Sequence, residues 1–155
     1  MILILDNIRS TYNVGSIFRT ADAVGVSEIY LCGVTPDPVD RFGRDRADIA
    51  KTALGAEKTV PWIHAKSTKD AITKLKIQNY NIVALEQHDN SEDYIKVSKQ
   101  LDFDKTALVL GEETKGLSRE VLGLVDVIAE IPMAGNKESL NVSVAAGVAL
   151  FRFKS

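Results

Sequence analysis

Two stretches in the last third of the chain carry the side chains best suited to chemistry. Gly111-Glu112-Glu113-Thr114-Lys115-Gly116-Leu117-Ser118 follows directly on the apolar run Leu108-Val109-Leu110. Ile131-Pro132-Met133 precedes Asn136-Lys137-Glu138-Ser139-Leu140-Asn141-Val142-Ser143-Val144-Ala145-Ala146-Gly147. A strand ending in a glycine-rich turn presents backbone N–H and C=O groups at the carboxyl edge of a sheet, where open α/β sheets bind ligands. Gly111 and Gly116 allow approaches that a side chain would block. By itself the first stretch also reads as a strand-to-helix turn, with Ser118 capping a helix Arg119–Leu124. Ser139 and Asn141 flank Leu140, and either one would suffice as a helix cap. Together they predict a buried polar start, beside the glycine turn, for a helix whose Ala, Val and Gly can pack closely.

The elements that must position these groups follow from the pattern. Apolar runs predict strands at Met1–Leu5, Glu28–Cys32, Val60–Ile63, Asn81–Leu85, Thr106–Leu110 and Val127–Ile131. A polar loop Asp6–Val14 leads to a helix Gly15–Val24, with Ile17, Phe18, Ala21 and Val24 at helical spacing, Asn13 as its cap and Gly25 as its stop. Further helices are predicted at Asp45–Leu54, at Thr68–Gln78 behind the Ser67 cap, around Asp93–Gln100, and at Leu140–Phe153. Pro36, Pro38 and Gly43 make Gly33–Arg44 a loop. Strands alternate with helices and are continuously apolar, so both faces are covered. That is an α/β fold on a mostly parallel sheet with helices on both faces.

Composition narrows the function classes. The 155 residues are 45% hydrophobic and 26% charged, as in a globular domain. No apolar run reaches membrane-spanning length, and Met1–Leu5 has no basic region before it, so neither an anchor nor a signal peptide is expected. One Cys and two His offer no internal disulfide and no metal set, which suits a reducing, cytoplasmic location. A net charge of −2 argues against coating nucleic acid by bulk charge. A local basic group remains in Arg41, Arg44, Arg46 and Lys51, with Arg9 and Arg19 elsewhere; interspersed Asp45 and Asp48 also fit a solvated helix face.

Three segments together resemble one family. Asn13-Val14-Gly15-Ser16-Ile17-Phe18-Arg19 is similar to motif 1 (N-x-G-x-x-x-R) of the SpoU (TrmH-type) RNA ribose 2′-O-methyltransferases. Gly111–Ser118 resembles motif 2 (G-x-E-x-x-G-L-S), and Ile131-Pro132-Met133 with Ser139–Ala145 resembles motif 3. The resemblance covers essentially the whole chain. It implies a single SPOUT domain, 1–155, with a C-terminal deep trefoil knot and no N-terminal RNA-binding extension. It also implies S-adenosylmethionine (SAM) as methyl donor and a homodimer whose active site uses both subunits.

The resemblance carries roles onto matching positions. Arg19 matches the arginine that engages the target ribose and phosphate, and Asn13 the asparagine beside it. Glu113 matches the motif 2 glutamate, and Ser139 and Asn141 the motif 3 pair. These five are the expected catalytic residues. Leu85, Gly111, Glu113, Ile131, Met133, Ser139, Leu140 and Asn141 are expected at the SAM pocket, and Arg9, Arg19, Arg41, Arg44 and Arg46 on the RNA. Guanidinium stays charged in proteins, so Arg19 is read first as a positioning and charge-stabilising group rather than a base. Glu113 also reads as an acceptor for backbone N–H groups in the turn, and Glu112 as exposed. The expected substrate is tRNA, with rRNA second; a catalytically silent RNA-binding or assembly factor is the alternative of another class. An ATP- or NAD-binding protein lacks its phosphate-binding glycine pattern here.

Overall fold

The strands lie side by side because their residues are apolar on both faces and need helices above and below. In the computed structural model, which describes residues 1–155, β1 (Ile2–Asp6), β2 (Glu28–Cys32), β3 (Trp62–Ala65), β4 (Asn81–Leu85), β5 (Glu92–Asp93), β6 (Thr106–Leu110) and β7 (Val127–Glu130) form one sheet in the order β3-β2-β1-β6-β4-β7-β5. Every neighbouring pair is parallel. Seven helices cover it: α1 (Thr11–Val24), α2 (Ala47–Ala53), α3 (Ala56–Thr59), α4 (Thr68–Ile77), α5 (Tyr94–Ser98), α6 (Arg119–Leu122) and α7 (Val142–Lys154). No helix is long and apolar enough to cross a membrane.

Alternate side chains of each strand supply two cores. Leu3, Leu5, Ile29, Leu31, Leu108 and Leu110 pack with Ile17 and Phe18 of α1, Ile49 of α2 and Leu150 of α7. On the other face Ile4, Tyr30, Ile82 and Val109 pack with Ile72 and Leu75 of α4 and Val121 of α6. Phe18 is wholly buried, and truncating it to Ala costs about 3–5 kcal/mol. Cys32 is buried at the end of β2, where desolvation pushes its thiol up to about 12 and its Sγ–H points to the Tyr30 carbonyl at 3.9 Å. It stays a protonated, inert core residue.

Some boundaries differ from expectation for identifiable reasons. Helix α1 begins at Thr11, a turn earlier than predicted, because the Ser10 hydroxyl accepts from the Asn13 N–H at 3.1 Å and serves as the cap. Asn13 is therefore inside the helix and is not its cap. Strand β3 starts at Trp62 and not Val60, since Val60 closes the short helix α3 and Pro61 has no N–H to give the ladder. Helix α7 begins at Val142, with Asn141 as cap.

One close approach shapes the N-terminal half. A Cβ on Gly15 would stand 2.0 Å from Thr52 Oγ1 and 2.5 Å from the Ile49 carbonyl oxygen. The glycine of the first segment thus lets α1 lie directly on α2. Gly147 in α7 has no such role, because its nearest neighbour would be 3.8 Å away.

Candidate active site

The carboxyl ends of β4 and β6 open into a cleft of about 290 Å³. Its walls are the turn 111–116 after β6, Leu85, Glu86 and Gln87 after β4, Ile131 and Met133 after β7, and Ser139–Val142 with Ala145 at the start of α7. All eight residues expected at the cofactor pocket, Leu85, Gly111, Glu113, Ile131, Met133, Ser139, Leu140 and Asn141, line this one cleft.

The turn takes its shape from contacts that exclude side chains. A Cβ on Gly111 would meet the Gly116 carbonyl carbon and the Leu117 nitrogen, each at 2.9 Å. Gly116 has φ 64°, and a Cβ there would strike Glu86 Oε2 at 2.3 Å. Glu86 Oε2 accepts from the Leu117 N–H at 3.0 Å, and Gln87 Nε2 donates to the Ile131 carbonyl at 2.8 Å. Glu86 and Gln87 thus brace the turn and the β7 exit from the strand between them. Sequence reasoning missed both. Their position directly after a buried strand, at the carboxyl edge, was the available signal.

Hydrogen bonds tie the three chemistry-bearing segments together. Asn13 Nδ2 donates to Glu113 Oε1 at 3.0 Å, and Asn13 Oδ1 accepts from Asn141 Nδ2 at 3.1 Å. Glu113 Oε1 also accepts from the Ser10 N–H at 3.3 Å. Asn141 Oδ1 meanwhile accepts from the N–H groups of Ser143 at 2.9 Å and Val144 at 3.4 Å. Asn141 is both the cap of α7 and a link to α1. Burial raises the Glu113 carboxyl, but hydrogen bonds from Asn13 and from backbone N–H groups outweigh it and hold the group below the usual glutamate range. Glu113 is an anion at neutral pH.

Two expectations of burial and exposure fail. The start of α7 is exposed, not buried: Ser139, Leu140 and Asn141 all face solvent. Glu112, expected exposed, keeps only 14% of its side-chain surface and lies 3.9 Å from Arg9 Nε. Glu113 is the more exposed of the pair. Arg19 is not in the cleft. It lines an open groove of about 610 Å³ between α1, α2 and α7, with Tyr12, Lys51, Leu54 and Phe151. Among the expected RNA contacts, Arg44 is paired with Asp40 at 2.8 Å and Arg46 with Asp48 at 2.8 Å. Arg41 reaches no carboxylate and lies over Phe42. No group of three or more His, Cys, Asp or Glu is placed to hold a metal.

Comparison with known proteins decides the family. The profile of the SpoU rRNA Methylase family matches residues 1–151. The chain belongs to the SpoU family. This SpoU chain is 38% identical over 152 residues to a 23S rRNA (guanosine-2′-O-)-methyltransferase of Xylella fastidiosa, covering 97% of this chain and 57% of that protein. It is 34% identical over 151 residues to a tRNA (guanosine(18)-2′-O)-methyltransferase of Escherichia coli, covering 95% and 59%. Its fold matches an AdoMet-bound rRNA methyltransferase of Sinorhizobium meliloti with TM-score 0.85 and 32% identity, over 99% of this chain and 55% of that one. It also matches the SpoU methyltransferase AviRb of Streptomyces viridochromogenes in complex with AdoMet, with TM-score 0.84 and 26% identity, over 99% and 59%. The SpoU chain thus spans little more than half the length of these relatives.

Proposed function

We propose that this chain is a SAM-dependent RNA ribose 2′-O-methyltransferase that acts on tRNA, with rRNA the second candidate. The observation that carries the reading is the linked set Asn141–Asn13–Glu113, which joins all three segments at one wall of the cleft. The relatives act on both RNA classes at similar identity.

The cleft suits the cofactor. Leu85, Leu110, Ile131, Met133, Leu140 and Val142 offer apolar surface, and the turn offers backbone groups where a Cβ at Gly111 would collide. Glu86, Glu112 and Glu113 outnumber Lys115 along the walls. That balance favours a ligand carrying a sulfonium and an ammonium. When bound, SAM would supply its sulfonium methyl group for transfer to the ribose 2′-oxygen, with the thioether as leaving group and the hydroxyl proton released.

This chain's residues align and stabilise. Holding the two reactants in line supplies much of the barrier reduction in such a transfer. Ionised Glu113 donates no proton; it fixes Asn13 and the Ser10 N–H, and so the start of α1, against the cleft. Arg19, permanently charged, holds the phosphate next to the target ribose and stabilises charge developing on the 2′-oxygen.

Arg19 meets a cleft only if two chains combine. Val144, Val148 and Phe151 lie at i, i+4 and i+7 and are all exposed, so α7 presents an apolar stripe that reaches the Arg19 groove at Phe151. A helix apolar on every side is a buried helix in its working state. A second copy of the chain covers this face, and Arg19 of each protomer serves the cleft of its partner.

The test is methyl transfer from labelled SAM to unmodified tRNA and rRNA, followed by digestion to nucleosides. A labelled 2′-O-methyl nucleoside is expected. SAM binding without label would point to a missing substrate or partner, and no label with no SAM binding would favour the silent RNA-binding factor.

A further inference from the structure

The loop between β2 and α2 leaves the sheet at the same edge as the turn 111–116, because β1 runs parallel to both β2 and β6. Its tip is a tight, internally braced reversal. Val39 and Asp45 face each other across an antiparallel bridge, and Gly43 takes φ 77°. Asp40 Oδ1 accepts from the N–H groups of Phe42 at 2.8 Å and Arg44 at 3.0 Å, while its Oδ2 accepts from Arg44 Nε at 2.8 Å. These bonds hold Asp40 ionised, below the usual carboxylate range.

All this bracing displays one apolar ring. Phe42 is 67% exposed and belongs to neither core. Burial would stabilise the fold by roughly 1.5–3 kcal/mol, and the loop forgoes it. The Arg41 and Arg44 guanidinium carbons lie 4.8 and 5.0 Å from the ring centroid. Arg44 is fixed by Asp40, whereas Arg41 is held only by the ring. An aromatic face with one fixed and one movable guanidinium matches an unstacked nucleotide, whose base stacks and whose phosphate pairs.

We propose that Phe42 is the stacking platform for an unpaired nucleobase of the RNA, with Arg41 swinging from the ring to the adjacent phosphate. The proposal rests on the RNA reading above and narrows it. The substrate presents an unpaired nucleotide near the target ribose, as a loop does and a continuous duplex does not. In A-form duplex the base faces are stacked on one another and unavailable to a side chain.

The experiment measures binding of wild type, Phe42→Ala, Phe42→Leu, Phe42→Trp and Arg41→Ala to a single-stranded RNA and to a duplex of the same sequence, across a salt series. Phe42 is exposed, so these variants fold, and an unchanged melting temperature verifies it. Phe42→Ala is expected to lose about 5- to 150-fold in affinity for the single strand, with little change on the duplex and an unaltered salt slope. Phe42→Trp restores binding and Phe42→Leu does not, since Leu keeps apolar area but has no π-face. Arg41→Ala lowers the salt slope by about one. Wild-type affinity in Phe42→Leu would mean a plain apolar contact and would overturn the proposal. So would wild-type affinity in Phe42→Ala, or an equal loss on duplex. If wild type binds and methylates RNA while Phe42→Ala matches it, stacking alone falls; if wild type binds no RNA, the RNA reading falls with it.

Discussion

Asn13 donates to Glu113 Oε1 at 3.0 Å across a separation of 100 residues, from the first turn of α1 to the turn after β6. Asn13 is buried, so neither of its polar ends is easily given to water. Asn13→Ala should destabilise the fold by roughly 1–3 kcal/mol. Asn13→Asp should do worse, because it sets a carboxylate against Glu113. Urea unfolding measures the first effect. Transfer rates should fall in both variants, and wild-type activity in Asn13→Asp would remove Asn13 from the site.

On the proposed dimer, Arg19 and Glu113 would meet in one site from different chains, so two inactive variants should complement each other. Arg19→Ala and Glu113→Gln are each expected to abolish transfer, with SAM affinity nearly unchanged in Arg19→Ala. Mixed, unfolded and refolded together, they form mixed dimers in which one of two sites is intact. Random pairing predicts about one quarter of wild-type activity. Activity at the level of the separate variants would place both residues on one chain.

The carboxyl of Glu113 is held below its ordinary value, so its contribution to stability is present above pH 4.5 and is lost as pH falls through the folded-state value. Asp6 behaves oppositely. Burial first, then the nearby Glu112, raise its carboxyl, outweighing the Thr68 hydroxyl that donates to it. Its ionised form therefore costs stability above the folded value, and the cost disappears below pH 3.8. Asp6→Asn should raise the melting temperature at pH 7 and have little effect at pH 3. Glu113→Gln should flatten the acid limb.

Gly15→Ala should destabilise by about 1–3 kcal/mol, through overpacking of α1 on α2. Thr52→Ala added to it removes the 2.0 Å clash but leaves the Ile49 carbonyl at 2.5 Å, so rescue should be partial. Full rescue in denaturant titrations would show that the backbones can part.

Much of this architecture was readable from local pattern. β2, β4 and β6 fall where their apolar runs place them, because a strand buried on both faces leaves an unbroken apolar signature. Ser67 and Ser118 cap the helices expected of them. What escaped was decided by distant partners. Asn13 reads as a cap, since asparagine commonly is one, yet it lies inside α1 bonded to side chains 100 and 128 residues away. No local window contains those bonds. The exposed start of α7 has the same origin, for its apolar stripe is covered by nothing in its own chain. The placement of Arg19 was legible in principle. Six residues beyond Asn13 on an α-helix is about 240° around the axis, so the two side chains never shared a face.

The central pairing of β1 with β6 bears on time as well as shape. Residues 2–5 meet residues 107–110 only after most of the chain has closed into a loop, and such distant pairings form slowly. Asn13 comes from one side of that closure, and Glu113 and Asn141 from the other. The walls of the cleft lie between residues 85 and 145, on the second side alone, so what waits for the closure is the Asn13 link to Glu113 and Asn141. During refolding, the Asn13–Glu113 contact should therefore form with the last phase, after helix has already formed, so that it serves as a clock for completion of the sheet.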